Sequence, residues 1–133
     1  MTNKIEDLLQ TPYWIIDILP KQVQPNSLGQ YFKVENYFLN NEHLQDIKQK
    51  HSNLILKINC YRDITIDETK NPFPETISEE MKKRILYIFI DEAMVLSEPD
   101  DTHLTLFNPS EELLELVKEI AISEGLYVWK PTF

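Results

Sequence analysis

Short runs of β-branched and aromatic residues, bounded by prolines and turn-forming residues, predict the strands of this chain. Residues 85–90 are apolar at every position, which is typical of a central strand covered on both faces. Residues 53–61 instead alternate between apolar and polar side chains, which predicts a half-buried strand with Cys60 on its apolar side. The other predicted strands are residues 13–19, 93–97, 104–107 and 126–129.

A turn between two of these strands predicts a hairpin. Residues 98–103 contain a proline followed by two aspartates, and these residue types favour tight turns. We therefore expect strands 93–97 and 104–107 to pair with each other.

Apolar residues at helical spacing predict the first helix. Tyr31, Val34 and Phe38 recur with the period of an α-helix, so a helix over about 30–39 is preferred. The alternation at Phe32 and Val34 leaves a strand as the alternative.

The next segment is expected to form a second helix. Asn40 or Asn41 can cap it, and Leu44 and Ile47 would face inward. Lys48 would lie near its end, where a cation suits the helix dipole.

Two further helices are predicted from their end signals. Thr76 followed by Glu79 fits a capping box, which predicts a short helix. Asn108 followed by Pro109 marks the start of a longer helix, and Gly125 marks its end.

The predicted element order is β-α-α-β-α-β-β-β-α-β. This mixture favours an α+β fold, with two layers and a mixed, largely antiparallel sheet on which helices pack. Residues 67–74 are polar but too few for a domain linker, so we expect residues 1–133 to form a single domain. The strand order stays open.

Composition excludes several classes of site. The chain has two glycines and one cysteine, which argues against glycine-rich phosphate loops, an intramolecular disulfide and a multi-cysteine zinc site. No nucleophile elbow, P-loop, dinucleotide fingerprint or HExxH motif occurs. We therefore expect no cofactor. The first ten residues lack the apolar core of a signal peptide, and no run approaches the ~18 apolar residues of a membrane span, so a cytoplasmic location is expected.

The charge is divided unevenly along the chain. Residues 1–66 hold seven acids and seven bases, whereas residues 67–133 hold 15 acids and 6 bases and so carry the entire net charge of −9. A one-sided negative field disfavours nucleic acid and anionic membranes, and it favours a basic partner or a cation.

The most acidic stretch is the first candidate for a binding surface. Residues 91–124 hold ten acids and one base, Lys118. A solvated, solubilising surface is one explanation, and a docking surface for a basic protein is the other. The candidate docking residues on the predicted helix are Glu111, Glu112, Glu115 and Glu119.

A second candidate lies in the predicted hairpin turn. Asp100, Asp101 and His103 combine carboxylates with an imidazole, and such groups bind divalent ions or small molecules. Their spacing matches no established metal signature, so a turn in which the aspartates bond to local backbone amides is the alternative.

Two single residues, Cys60 and Asp17, are further candidates. Cys60 is expected to be a small buried hydrophobe rather than a nucleophile, because it lies in phase with apolar neighbours. Asp17 interrupts an apolar run, which is costly unless the carboxylate is paired or faces solvent. A site role for Asp17 would need a nearby cation such as Lys57 or Arg62.

Two segments, TPYWIIDILP at 11–20 and LSEPDDTHLTLFNP at 96–109, resemble small bacterial proteins that have no assigned activity. The resemblance implies a bacterial cytosolic protein and assigns no catalytic residue.

The sequence therefore favours a non-enzymatic binding protein that acts through its acidic C-terminal half. An inhibitor or immunity-type protein that masks a basic partner is one concrete form. The alternative is a small-molecule- or metal-binding protein, including a hydrolase, that uses Asp100, Asp101 and His103. A homodimer formed through an exposed strand edge, or through the face that carries Tyr127 and Trp129, is a further hypothesis.

Overall fold

The computed structural model describes residues 2–26 and 28–132, and within them it has five helices and seven strands. In chain order the elements are α1 (Thr2–Leu9), β1 (Tyr13–Asp17), α2 (Tyr31–Leu39), α3 (Asn41–Asn59), β2 (Ile64–Ile66), β3 (Thr69–Lys70), α4 (Pro74–Met81), β4 (Leu86–Ile90), β5 (Ala93–Ser97), β6 (Leu104–Phe107), α5 (Glu111–Ser123) and β7 (Tyr127–Trp129).

The strands form one antiparallel sheet in the order β3-β2-β4-β5-β6-β1-β7. β5 and β6 pair as the predicted hairpin, with Met94 opposite Phe107 and Ser97 opposite Leu104. With helices packed on this sheet, the predicted α+β fold is confirmed.

One face of the sheet packs against helices α3, α4 and α5. Ile88, Val95 and Leu106 come from the central strands and are fully buried against this layer. The helices contribute Leu54, Ile55 and Ile58 from α3, Ile77 and Met81 from α4, and Leu113, Val117 and Ala121 from α5.

The other face of the sheet carries a smaller apolar cluster. Phe89, Met94 and Phe107 are buried there against Leu8 of α1. The amino group of Lys4 lies 4.5 Å from the centre of the Phe89 ring. β4 therefore has apolar neighbours on both of its faces, as its uninterrupted apolar run predicted.

The prediction of a strand at residues 53–61 is wrong, because residues 53–59 form the C-terminal part of α3. Leu54, Ile55 and Ile58 continue the helical period that begins at Leu44, and all are buried. Cys60 follows the helix and is exposed, so its predicted burial is also wrong. The alternation in this short window was compatible with both periods, and the longer helical repeat decided between them.

Two predicted helix starts are also wrong. α4 begins at Pro74, with proline in its first turn, so Thr76 lies inside the helix rather than at its cap. α5 is capped by Ser110, whose hydroxyl oxygen accepts a hydrogen bond of 3.1 Å from the backbone N–H of Leu113. Asn108 instead adopts a left-handed backbone conformation ahead of the helix, with φ of 58°.

Other boundaries agree with the patterns. α2 spans Tyr31–Leu39, which confirms the helix over about 30–39. Gly125 follows α5 with φ of 72°, a conformation that a glycine adopts without strain. The structure adds α1, β2 and β3, which the patterns did not indicate. Among the described helices, none combines the length and apolar character needed to cross a membrane.

Candidate functional site

The candidate residues lie at opposite ends of the sheet. β5 runs from Ala93, next to the β4–β5 turn, to Ser97, next to the β5–β6 turn. Asp101 and His103 lie in the β5–β6 turn, whereas α5 follows the end of β6 that pairs with the start of β5. The acidic residues of α5 and the aspartate–histidine group therefore form two separate sites.

The first site is an acidic surface, which we define as Glu92, Glu111, Glu112, Glu115 and Glu119. All five side chains are exposed. The side-chain amide of Asn108 donates a hydrogen bond of 3.1 Å to the backbone carbonyl of Glu92, which ties the β4–β5 turn to the approach to α5. Glu111 and Glu112 lie in the first turn of α5, where the helix dipole favours negative charge.

The charge of this acidic surface is mostly uncompensated. Glu115 makes a loose ion pair of 3.8 Å with Lys118. Within residues 2–26 and 28–132, the other four glutamates make no ion pair. Neighbouring Asp91, which is not part of the surface, lies 3.7 Å from the Nε nitrogen of Arg62.

The second site begins with a contact between Asp101 and His103. The Nδ1 nitrogen of His103 lies 2.9 Å from Oδ1 of Asp101, and both side chains are about one-third exposed. The hydrogen bond that the ring donates to Asp101 raises the pKa of His103 above its usual value, although burial opposes this shift. Burial raises the pKa of Asp101, but the hydrogen bond and charge of His103 outweigh it and hold that pKa below its usual value.

Asp101 also accepts a hydrogen bond of 2.8 Å from the backbone N–H of Thr102. This is the bond to a local backbone amide that we expected if these residues simply form a turn. Asp100 is exposed and lies outside the lining of the nearby cleft described below. Of the three turn residues that the sequence nominated, the structure therefore brings together Asp101 and His103.

Asp17, at the end of β1, joins this group. Burial raises the pKa of Asp17, while the hydrogen bond from the Ile18 backbone and the nearby charge of His103 lower it in part. The backbone bond is 2.7 Å long. The cations suggested for Asp17 are engaged elsewhere, because Lys57 pairs with Glu124 and Arg62 with Asp91. The carboxylate in an apolar run thus marked a residue of the candidate site, and the charged group that acts on it is His103, which lines the same cleft.

A cleft opens where Asp17 lies, between α2, the end of β1 and the β5–β6 turn. We call it the Asp17 cleft. It consists of two adjoining hollows that share Asp17, Leu19 and Tyr31. The remaining lining residues are Ile18, Val34, Glu35, Phe38 and Thr102 in one hollow, and Ile15, Gln22, Val23, His103 and Trp129 in the other.

Two aromatic side chains of the Asp17 cleft are held in place by hydrogen bonds. The Tyr31 hydroxyl donates to the Glu35 carboxylate at 2.9 Å, and the Trp129 indole donates to the Leu19 carbonyl at 3.0 Å. Burial and the bond to Glu35 raise the pKa of Tyr31 to about 12, so its hydroxyl stays protonated at neutral pH.

Two titratable side chains of α3 are buried beneath the β5–β6 turn. Lys48 is fully buried, and its amino group donates to the Glu98 carbonyl at 2.8 Å and to the Ser97 hydroxyl at 3.3 Å. Burial lowers the pKa of Lys48 to about 8. His51 is also fully buried, and neither of its ring nitrogens has a partner with hydrogen-bond geometry among the described residues. Burial lowers the pKa of His51 well below its usual value, so the ring is neutral.

Sequence reasoning missed both of these residues. It placed Lys48 near a helix end, whereas α3 continues to Asn59. The available signal was the helical period itself, since Lys48 and His51 lie in phase with Leu44 and Leu54 on the face that meets the sheet.

The chemistry of the Asp17 cleft is that of carboxylates, one imidazole and aromatic rings. In the described residues, no group of three or more histidine, cysteine, aspartate or glutamate side chains is placed to hold a metal ion. The cleft lining described above contains no serine or cysteine that could act as a nucleophile. This arrangement is suited to binding a cation and to exchanging a proton at His103.

Comparison of the chain with protein-family models, with curated proteins and with solved structures gave no significant match.

Proposed function

We propose that this chain is a non-enzymatic binding protein whose acidic surface docks a basic protein. The observation that carries the proposal is the uncompensated charge of Glu92, Glu111, Glu112 and Glu119 on an ordered helix and an adjoining turn. An inhibitor or immunity-type protein, which covers a basic active surface of its partner, is the concrete form we favour.

The physical basis is long-range attraction between opposite charges. A negative field of this kind accelerates encounter with a positive surface and makes the association sensitive to salt. The acids of α5 are exposed, so they lose little hydration before contact.

The test replaces Glu111, Glu112, Glu115 and Glu119 together by glutamine. The tagged wild-type protein and this quadruple variant are used to capture partners from a bacterial lysate at low and at moderate salt, and mass spectrometry identifies what is retained. We expect the wild-type protein to retain a basic protein at low salt and to release it at higher salt. We expect the quadruple variant not to retain that protein.

The matched control removes the same number of acids from another part of the surface. Glu42→Gln, Asp46→Asn, Glu75→Gln and Glu79→Gln neutralise four exposed acids, two of which also lie in first helical turns. The control should bind as the wild-type protein does. Equal loss of the partner in both variants would mean that only net charge matters, and this would refute a docking surface on α5.

A second candidate function is favoured by the contact between Asp101 and His103. Asp101 engages Nδ1 of the ring, which leaves Nε2 able to exchange a proton with a molecule bound in the Asp17 cleft. A small-molecule-binding protein or a hydrolase would use this pair. A ligand of this site stabilises the folded state by mass action, so a library of small molecules and divalent ions is screened for a rise in Tm. Any rise should be lost in His103→Gln, and a screen without such a rise would exclude this candidate.

A further inference from the structure

Helix α2 has no buried residue and exposes several large apolar side chains. Phe32 is 76% exposed, and Leu39 is 37% exposed. These two residues are seven positions apart and so lie on the same side of the helix, next to Tyr31 and Glu35, which line the Asp17 cleft. An apolar rim therefore adjoins a cleft that contains charged groups.

The charge in the Asp17 cleft is predominantly negative. Asp17 and Glu35 contribute carboxyl groups from two different elements, and His103 is the only titratable base in the described lining. The imidazole of His103 is already engaged by Asp101. A cation that enters the cleft would therefore meet carboxylates that no lysine or arginine of the lining neutralises.

We infer that the Asp17 cleft receives an arginine side chain of the basic partner, while apolar neighbours of that arginine rest on Phe32 and Leu39. This inference depends on the proposed function, since it assumes a basic protein as the partner. It adds a second contact at the opposite end of the sheet from the N-terminal end of α5.

The chemistry of the cleft favours arginine over lysine. A guanidinium group has five donors in a plane, so it can serve carboxylates on different elements at once. The same plane can stack on Tyr31 or Trp129, which stand in the lining of the cleft. A central charged anchor surrounded by aromatic and aliphatic contacts is also the usual arrangement of a protein-binding hot spot.

The experiment uses short peptides, so that it does not require the partner to be identified. The probe is Ac-Leu-Arg-Leu-NH2, and its control is Ac-Leu-citrulline-Leu-NH2, which keeps the shape of arginine and removes its charge. Each peptide is titrated into the 15N-labelled full chain, and the backbone amide signals are followed by NMR. We expect saturable shifts centred on Asp17, Tyr31 and Thr102, with affinity for the citrulline peptide lower by about tenfold.

Variants of the chain locate the binding. Asp17→Asn and Glu35→Gln should each weaken the arginine peptide by about fivefold or more, because each removes one charge while keeping hydrogen-bonding capacity. Phe32→Ala, at an exposed position, should weaken the peptide with leucine neighbours more than Ac-Gly-Arg-Gly-NH2. Asp100→Asn is the matched control, since it removes an exposed charge from the same region without changing the described lining.

Several results would overturn the inference. These are the absence of saturable shifts, equal affinity for the arginine and citrulline peptides, or equal weakening by Asp17→Asn and Asp100→Asn. Self-association that Phe32→Ala abolishes would assign the rim of α2 to a second copy of the chain instead.

The outcome can be separated from that of the proposed function. The quadruple glutamine variant of α5 leaves the Asp17 cleft intact, so it should bind the arginine peptide as the wild-type chain does. Failure of the acidic surface in the capture experiment and failure of the cleft in the peptide titration are therefore distinguishable results.

Discussion

At the scale of single residues, the most unusual side chains are the buried ones that carry or can carry charge. Lys48 has no exposed surface and donates to a carbonyl and a hydroxyl rather than to a carboxylate. A buried ammonium without an adjacent counter-ion is costly, and the protein lowers that cost by favouring the neutral amine.

The lowered pKa of Lys48 predicts a pH dependence of stability. Its pKa falls from 10.5 in the unfolded chain to about 8 in the folded one. Between these values the unfolded chain holds a proton that the folded chain lacks, so the free energy of unfolding should rise with pH across this window, by about 3 kcal/mol in total. Lys48→Met removes this contribution, and urea denaturation at several pH values measures it.

As pH rises from about 8 to about 10.5, the wild-type chain should therefore gain stability relative to Lys48→Met, which lacks the titrating amino group. Lys83→Met, which removes an exposed lysine, is the matched control. Parallel pH curves for the wild type and Lys48→Met would contradict the prediction.

The contact between Asp101 and His103 makes a second prediction at this scale. The pKa of His103 is raised in the folded chain, mainly by its hydrogen bond to Asp101. The stability that this contact contributes is fully present below the unfolded pKa of about 6.5, and it is lost as pH rises through the folded pKa. Asp101→Asn should lower the pKa of His103, as measured by an NMR titration of its ring protons. Asp100→Asn should leave that pKa unchanged, and an equal shift in both variants would show that the direct contact is not the cause.

At the scale of elements, local pattern was informative where it was long and uninterrupted. The strands β4, β5 and β6 and the helices α2 and α5 match their predicted positions to within a few residues. Residues 53–61 misled because a nine-residue window fits both a strand and a helix when most of its apolar positions are buried. The predicted starts of two helices were wrong because Thr76 and Asn108 belong to residue types that favour N-caps, whereas α4 begins at Pro74 and α5 is capped by Ser110.

The two caps provide an element-scale prediction. Ser110→Ala should lower the free energy of unfolding by about 1 kcal/mol, because the N–H of Leu113 loses its partner. Thr76→Ala should have a much smaller effect, since Thr76 lies inside α4 and alanine favours helices. Urea denaturation of both variants measures the difference. If Thr76→Ala lowered the free energy of unfolding as much as Ser110→Ala does, the capping box predicted from the sequence would be supported instead.

At the scale of the whole molecule, the antiparallel sheet separates two sites by the length of its strands. The acidic surface gathers at the β4–β5 end and along α5, and the Asp17 cleft lies at the β5–β6 end. The sheet edges β3 and β7 are two and three residues long, which limits pairing with another chain. A homodimer through the face of Tyr127 and Trp129 stays a prediction that light scattering tests.

The distribution of charge predicts a salt effect on folding. Acids of the acidic surface repel one another, so raising NaCl from low salt to about 0.5 M should increase the free energy of unfolding by screening. Both quadruple variants used above change the net charge from −9 to −5. The α5 variant should show a smaller salt response than the control variant, because the four acids that it removes lie together on one helix, whereas those of the control are divided between α3 and α4. Equal responses in urea denaturation would mean that the repulsion is spread over the whole surface.

The amino-acid sequence alone predicts the fold class, the β5–β6 hairpin and the exposure of the acids on α5. These features depend on local period, turn residues and the amphipathic pattern of a helix, and all of these are written in neighbouring residues. It also singled out Asp101, His103 and Asp17, because polar groups in a turn or in an apolar run are visible without a structure.

Which of these residues lie close together depends on the tertiary fold. Asp17 and His103 are far apart in the chain and become neighbours because β1 pairs with β6, a pairing that no local pattern encodes. Burial of Lys48 and His51 likewise depends on which face of α3 meets the sheet. Local periodicity shows which face of an element is apolar, whereas the packing of the whole chain decides which other element that face contacts.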